Sequence, residues 1–168
     1  VTLVSGPADL QTPPGVDRVD VRTVKEMETA TRQAFAGADV LVMTAAVLDF
    51  RAKEVAEQKI KKDGQPLTLA LEPTQDFLVE LGAEKGSRIV VGFAMETENV
   101  EENAKRKLSS KGLDLIVLND LNVAGAGFAV DTNVVTFFDR DGNREAFERA
   151  PKKEVADRIL DWVVNVWA

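Results

Sequence analysis

The residues best suited to chemistry are cations beside loops. Lys59, Lys61 and Lys62 crowd into four positions just ahead of Gly64. A short charge run of this kind is either a solvated edge or a flap. As a flap, its three ammonium groups could close over a polyphosphate, exclude water and neutralise the charge that develops as pyrophosphate departs. Lys107 and Lys111 share one face of a helical pattern near its C-terminal end. The helix dipole alone accounts for cations there, and a phosphate ligand would account for them equally well. Asp49 follows the small residues Thr44-Ala45-Ala46, over which a flat ring could approach the backbone. An Asp after a strand is a turn or helix cap as readily as a contact for a base, a ribose or a metal. Phe93 taken alone reads as core.

Composition narrows the chemistry further. The 168 residues contain no Cys, His or Tyr, which removes disulfides, thiolate zinc sites, Cys or His nucleophiles and the imidazole base. What remains is Lys, Arg, Asp, Glu, Asn, Ser, Thr and backbone amides, a set suited to phosphate charge and to a hard cation such as Mg²⁺. The net charge of -7 argues against a nucleic-acid binder, because nonspecific affinity for nucleic acid comes from clustered Lys and Arg. With 45% hydrophobic residues the chain suits one compact domain spanning 1-168. No apolar run approaches the ~20 residues of a membrane span. It opens on Val1 inside an apolar run, without a charged leader, and reads as a cut fragment.

Four apolar runs would hold these residues in place: Val1 to Val4, Val40 to Met43, Ile89 to Phe93 and Leu113 to Leu118. Continuous apolar strands are expected where helices cover both faces of a sheet. Thr23 and Glu26 form a capping box ahead of a helix running to about Ala36, with Gly37 as its stop. Thr97 to Lys111 carries Glu early and Lys or Arg late, matching the helix dipole, with Gly112 as the stop. Pro151 opens a last helix whose apolar face is Val155, Ile159, Trp162, Val163 and Val166. The alternation predicts an α/β fold, a Rossmann-like three-layer open sheet, mainly parallel. Two segments depart from it. Phe50 to Gly64 is a charged excursion before a short strand at Leu67 to Leu71, and Val134 to Phe138 turns at Asp139-Asn143 into Arg144 to Glu148, an appended β-hairpin.

Small or polar residues follow all four runs: Ser5-Gly6-Pro7, Thr44-Ala45-Ala46, Ala94 to Thr97 and Asn119-Asp120. On a parallel sheet these loops would open on one edge, the default ligand site. No dinucleotide or phosphate-loop fingerprint is present, since Gly125-Ala126-Gly127 lacks the third glycine and follows no helix-opening strand.

Taken in order, Thr44-Ala45-Ala46-Val47-Leu48-Asp49-Phe50-Arg51, Lys59-Ile60-Lys61-Lys62, Val91-Gly92-Phe93-Ala94-Met95-Glu96-Thr97 and Lys111 to Asp120 resemble the phosphopantothenate-cysteine ligase family. Val1 to Pro7, Thr12-Pro13-Pro14, Gly127-Phe128 and Asp131 to Asn133 extend the likeness along nearly the whole chain. The resemblance implies a cytoplasmic bacterial enzyme of coenzyme A synthesis. It would activate 4'-phosphopantothenate with CTP and Mg²⁺ as an acyl-cytidylate, which cysteine attacks with release of CMP. It implies nucleotide contacts at Met43, Thr44, Ala45 and Asp49, with Lys59 in a mobile flap over 50-64 acting in catalysis. Thr74, Gln75, Asp76 and Phe77 would line the cytosine pocket, Phe93 would pack at the nucleotide, and Lys107 and Lys111 would hold its charged end. No protein ligand to the metal is assigned. It further implies a homodimer joined through a hairpin region at 128-148. A flavin-dependent decarboxylase domain would be fused or associated, with no FMN in this domain and no nucleic-acid or membrane partner.

The sequence departs from the family in two places. Relatives carry a strand and a Ser-Asn-x-Ser-Ser-Gly loop ahead of Val1, so the fragment is expected to be inactive alone or to be only part of the expressed protein. At Thr74-Gln75-Asp76-Phe77 many have Asn-Pro-Asp and an aliphatic residue. Two other classes compete: a non-catalytic nucleotide-binding or dimerisation module of the same fold, and a nicotinamide-dependent reductase, which the missing glycine fingerprint and the lack of Tyr disfavour.

Overall fold

The computed structural model describes residues 1–62, 64–120 and 130–167. The Gly125-Ala126-Gly127 and Gly127-Phe128 stretches lie outside the described residues. In chain order the elements are β1 (Thr2–Ser5), β2 (Asp17–Asp20), α1 (Val24–Phe35), β3 (Val40–Met43), β4 (Phe50–Ala52), β5 (Leu71–Pro73), α2 (Phe77–Ala83) and β6 (Ile89–Glu96). There follow α3 (Val100–Ser110), β7 (Leu115–Asp120), β8 (Thr132–Asn133), β9 (Val135–Asp139), β10 (Arg144–Ala146), β11 (Ala150–Pro151) and α4 (Lys152–Trp167).

Although the composition suits one domain, the chain divides into two compact units: residues 1–31 with 46–77, and residues 32–45 with 78–168. The first holds two small sheets. β1 pairs in parallel with β2 from Thr2↔Asp17 to Ser5↔Asp20, so the opening apolar run is not a strand of the main sheet. Its burial explains this, since Thr2 and Leu3 are exposed and only Val4 and Ser5 are half-buried. β4 pairs antiparallel with β5, and Lys53 N–H continues the ladder by donating to Ala70 O at 3.0 Å. The strand expected at Leu67 to Leu71 therefore starts only at Leu71. Leu67 and Leu69 remain 65% and 62% exposed, with no strand opposite to hold them among the described residues.

The second unit holds a five-stranded sheet in the order β10, β9, β7, β6, β3. β3, β6 and β7 run parallel, in register from Val40↔Ile89 and from Val91↔Leu115, while β9 and β10 extend the sheet antiparallel. The hairpin is thus part of the sheet. Both faces of the central strands are covered, which is why Val90, Val91, Leu115 and Val117 are fully buried. Val155, Ile159 and Val163 of α4 pack with Val91, Leu115, Val117, Val135 and Phe137. Strand alternation puts Ile116, Leu118 and Phe138 on the other face, where Lys105 of α3 lies 5.1 Å from the Phe138 ring centroid. With Val135, Phe137 and Phe138 between 1% and 4% exposed, the hairpin's apolar side chains belong to this chain's own core.

Helix ends follow local chemistry. Glu26 N–H donates to Thr23 Oγ1 at 3.1 Å and Thr23 N–H to a Glu26 carboxylate oxygen at 3.2 Å, the reciprocal pair of a capping box. α3 starts at Val100 rather than Thr97 because Asn99 takes a left-handed conformation, φ 45°, ahead of it. Gly112, φ 60°, turns the chain after it. α4 begins after Pro151, which pairs with Thr132. The periodicity around Phe77–Ala83 is too short to mark a helix, so α2 carries no clear signal in the sequence.

One buried charge organises the sheet. Asp114, 2% exposed, has its carboxylate 2.6 Å from Lys85 Nζ and 2.9 Å from Arg140 Nη1, and accepts Val90 N–H at 2.8 Å. Replacing one member of a buried pair strands the other charge. Asp114→Asn is therefore expected to destabilise the protein by about 3–5 kcal/mol, read from denaturant unfolding.

A second expectation concerns pH. The backbone N–H groups of Arg22 and Thr23 hold the Glu26 carboxyl below its usual range. A carboxyl with a depressed folded pKa contributes stability above the unfolded carboxylate range and loses it as pH falls through the folded value. Comparing thermal unfolding of wild type and Glu26→Gln from about pH 7 down to roughly pH 3, the advantage of wild type should shrink steadily and vanish at the acid end.

Candidate functional site

Parallel pairing brings the ends of β3, β6 and β7 to one edge of the second unit. Thr44 and Ala45, exposed, follow β3, while Met95 and Glu96 sit beside Asn119 and Asp120 in register. Three of the four loops expected to converge do so. The fourth, after β1, belongs to the first unit.

Of the candidate residues, Met43, Thr44, Ala45, Phe93, Lys107 and Lys111 fall in the second unit, and Asp49, Lys59, Thr74, Gln75, Asp76 and Phe77 in the first. Phe93 is half-buried and packs beside the core cluster of α4 with β6, β7 and β9. Lys107 Nζ lies 2.7 Å from Glu96 Oε1, and Asn103 Nδ2 donates to Glu96 Oε2 at 3.3 Å. The contact with Lys107 balances charge without the alignment of a hydrogen bond, so Glu96 Oε1 retains unused acceptor capacity. Glu96 is thus a further polar group at this edge; the sequence put it among the residues that follow the Ile89 to Phe93 run but gave it no role of its own.

Lys111 is positioned by backbone packing. Its N–H donates to Lys107 O at 3.0 Å, closing the helix, and its carbonyl sits where Gly82 has no side chain. A Cβ on Gly82 would stand 1.9 Å from Lys111 O.

In the first unit, Thr74 N–H donates to Asp49 O at 2.8 Å, and the Thr74 hydroxyl donates to Leu48 O. These bonds tie the Asp49 loop to the segment that follows β5. Asp49, Gln75 and Asp76 are exposed, whereas Phe77 is 2% exposed and buried as a core side chain. Lys59, Lys61 and Lys62 lie in an exposed stretch without regular structure, but the flap's first residues, Phe50–Ala52, are fixed in β4.

A cavity of about 330 Å³ lies at the opposite, amino edge of the sheet, lined by Asp39, Arg88, Asp114 and Arg140 among others. Arg88, Asp114 and Arg140 are engaged internally. Arg88 donates to the carbonyls of Lys85, Phe35 and Glu84 and stacks on Phe35, while Asp114 is the buried hub already described. This cavity is a structural joint, away from the carboxyl edge. Among the described residues no three His, Cys, Asp or Glu side chains gather as a metal site, and no helix is long and apolar enough to cross a membrane.

The family model described as the DNA/pantothenate metabolism flavoprotein C-terminal domain matches residues 1–166. The chain is 42% identical over 161 residues to the coenzyme A biosynthesis bifunctional protein CoaBC of Bacillus subtilis (strain 168), covering 95% of this chain and 40% of that protein. It is 45% identical over 170 residues to CoaBC of Escherichia coli (strain K12), covering 98% of this chain and 41% of that one. It thus spans less than half the length of these curated relatives. The crystal structure of the C-terminal domain of CoaBC aligns with a TM-score of 0.79 at 37% identity, covering 96% of this chain and 71% of that one.

Because the Gly82 contact is backbone against backbone, side-chain movement cannot relieve it. Gly82→Ala should cost about 1–3 kcal/mol of stability and displace Lys111, seen as a lowered melting temperature together with shifted Lys111 and Gly112 amide resonances.

Proposed function

The chain belongs to the DNA/pantothenate metabolism flavoprotein C-terminal domain family, and from that membership we propose that it is the phosphopantothenate-cysteine ligase portion of a coenzyme A biosynthesis protein. The observation that carries this reading is the likeness to the CoaBC C-terminal domain over 96% of the chain at 37% identity. The substrates are CTP, 4'-phosphopantothenate and L-cysteine. The phosphopantothenate carboxylate attacks the α-phosphate of CTP, pyrophosphate leaves, and the amine of cysteine then displaces CMP from the acyl-cytidylate.

This chemistry asks for no protein nucleophile, in keeping with a chain lacking Cys and His. Met43, Thr44, Ala45 and Asp49 contact the nucleotide, with Thr74, Gln75 and Asp76 at the base and Phe77 as the buried support of that segment. Phe93 packs at the nucleotide. Lys107 and Lys111 neutralise its charged end, and Glu96 holds the Lys107 ammonium in place until a phosphate competes for it. Lys59 meets the reacting phosphate from the exposed stretch after β4.

Mg²⁺ accompanies CTP and supplies charge neutralisation at the phosphates when bound. The described residues offer no carboxylate cage for it. Such an ion would be held chiefly by phosphate oxygens and water. The protein works in the cytoplasm as a homodimer, joined to or associated with a flavin-dependent decarboxylase and carrying no FMN in this portion. With Phe137 and Phe138 buried, a partner would meet the exposed edge strand β10.

The test is pyrophosphate release from CTP by the full-length protein. Release should require phosphopantothenate, and Lys59→Gln should slow turnover about 10²-fold or more. Release without phosphopantothenate would rule out the ligase. Unchanged turnover in Lys59→Gln would remove Lys59 from the reaction and leave the family intact.

A further inference from the structure

Two asparagines from the sequence motifs, Asn119 and Asn133, have no part in the chemistry above. In both, the side-chain Oδ1 is buried and has no hydrogen-bond partner. Asn119 as a whole is 4% exposed. Folded chains retain few such acceptors, and each asks for a donor from outside the chain.

The placement of the pair shows which donor. Asn119, near the carboxyl end of β7, is the register partner of Met95 on one side and Val135 on the other. Asn133 in β8 pairs with Ala150 of β11, and Ala150 packs in the same cluster as Val117, Val135 and α4, which puts Asn133 on the face that Asn119 shares. That face also carries Phe93, two residues before Met95. Glu96, being odd in this alternation, faces the other way and is paired with Lys107. Two neutral acceptor oxygens therefore stand at the ligand edge, on the Phe93 face of the sheet.

A carboxamide oxygen cannot donate, so neither phosphate nor carboxylate can satisfy it. A hydroxyl would satisfy one oxygen and leave the other bare. A primary amine brings N–H bonds for both. We infer that Asn119 and Asn133 form the amine subsite, each Oδ1 accepting one N–H of the amino-acid nucleophile. This rests on the ligase reading. Held by both N–H bonds, the nitrogen keeps its lone pair free to attack. The lone pair forms the C–N bond to the acyl carbon, the C–O bond to the cytidylate phosphate breaks with its electrons on CMP, and the proton shed by nitrogen passes to water. Because the acceptors are uncharged and buried, they hold the amine neutral and nucleophilic, where a carboxylate would favour ammonium.

Leucine matches asparagine in shape and lacks the acceptor, so Asn119→Leu and Asn133→Leu in the full-length protein separate binding from folding. The melting temperature without substrates should stay level or rise, since an unpaired buried oxygen is removed. The KM for L-cysteine should rise about tenfold or more without a matching rise in the KM for CTP. Unchanged cysteine KM would overturn the proposal, and so would a fall in melting temperature with both KM values rising together, which marks a structural role. If the wild type releases no pyrophosphate, the ligase reading fails separately. The subsite is then judged by whether L-cysteine shifts the Asn119 side-chain amide resonance in the labelled wild-type protein, and no shift would overturn it.

Discussion

Asp114 is where the second unit is tied together. Its carboxylate joins Lys85 ahead of β6, the Val90 amide within β6 and Arg140 in the β9–β10 turn. Its backbone completes the joint, donating to Val90 O at 2.9 Å and accepting Arg140 N–H at 3.0 Å. A charge this deeply buried is tolerable only when every oxygen is met, so the three segments cannot slide independently. That fixes the register of β6, β7 and β9. A slip of one residue would turn every side chain to the opposite face, exchanging Asn119 with Leu118 and Glu96 with Met95. The chemistry at the carboxyl edge depends on an ion pair at the amino edge.

The two edges of the sheet differ in how their polar groups are satisfied. At the amino edge Arg88 caps three carbonyls and Asp114 is saturated. At the carboxyl edge Glu96 is met by Lys107 and Asn103, while Asn119 and Asn133 each keep a buried oxygen without a hydrogen-bond donor. Between them run the apolar strands β6 and β7, sealed by α4 on one face and α3 on the other. Such a division is expected where a scaffold must be rigid and a site must keep its acceptors open for a ligand.

Much of this is legible in the sequence. The capping box of Thr23 and Glu26, the dipole-matched α3, the apolar face of α4 and the hairpin turning at Asp139–Asn143 are local patterns, decided by residues a few positions apart. The absence of Cys and His limits the chemistry on composition alone. Lys107 and Lys111 are visible as a cationic helix end. Elements without local periodicity are hidden: β2, the short α2, and β5, which is displaced from Leu67–Leu71 to Leu71–Pro73. Each is held by a partner distant in sequence, as β5 is by Phe50–Ala52.

The sequence by itself determined the α/β class, the family and the cationic toolkit, because composition, periodicity and motif order are properties of the chain taken a few residues at a time. Tertiary structure alone decided that β1 pairs with β2 outside the main sheet and that Phe77, Phe137 and Phe138 are core side chains. It alone joined Asp114 to Lys85 and Arg140, and turned Asn119 and Asn133 to one face without donors. These outcomes depend on register and burial, which arise only when residues tens of positions apart are brought into one sheet.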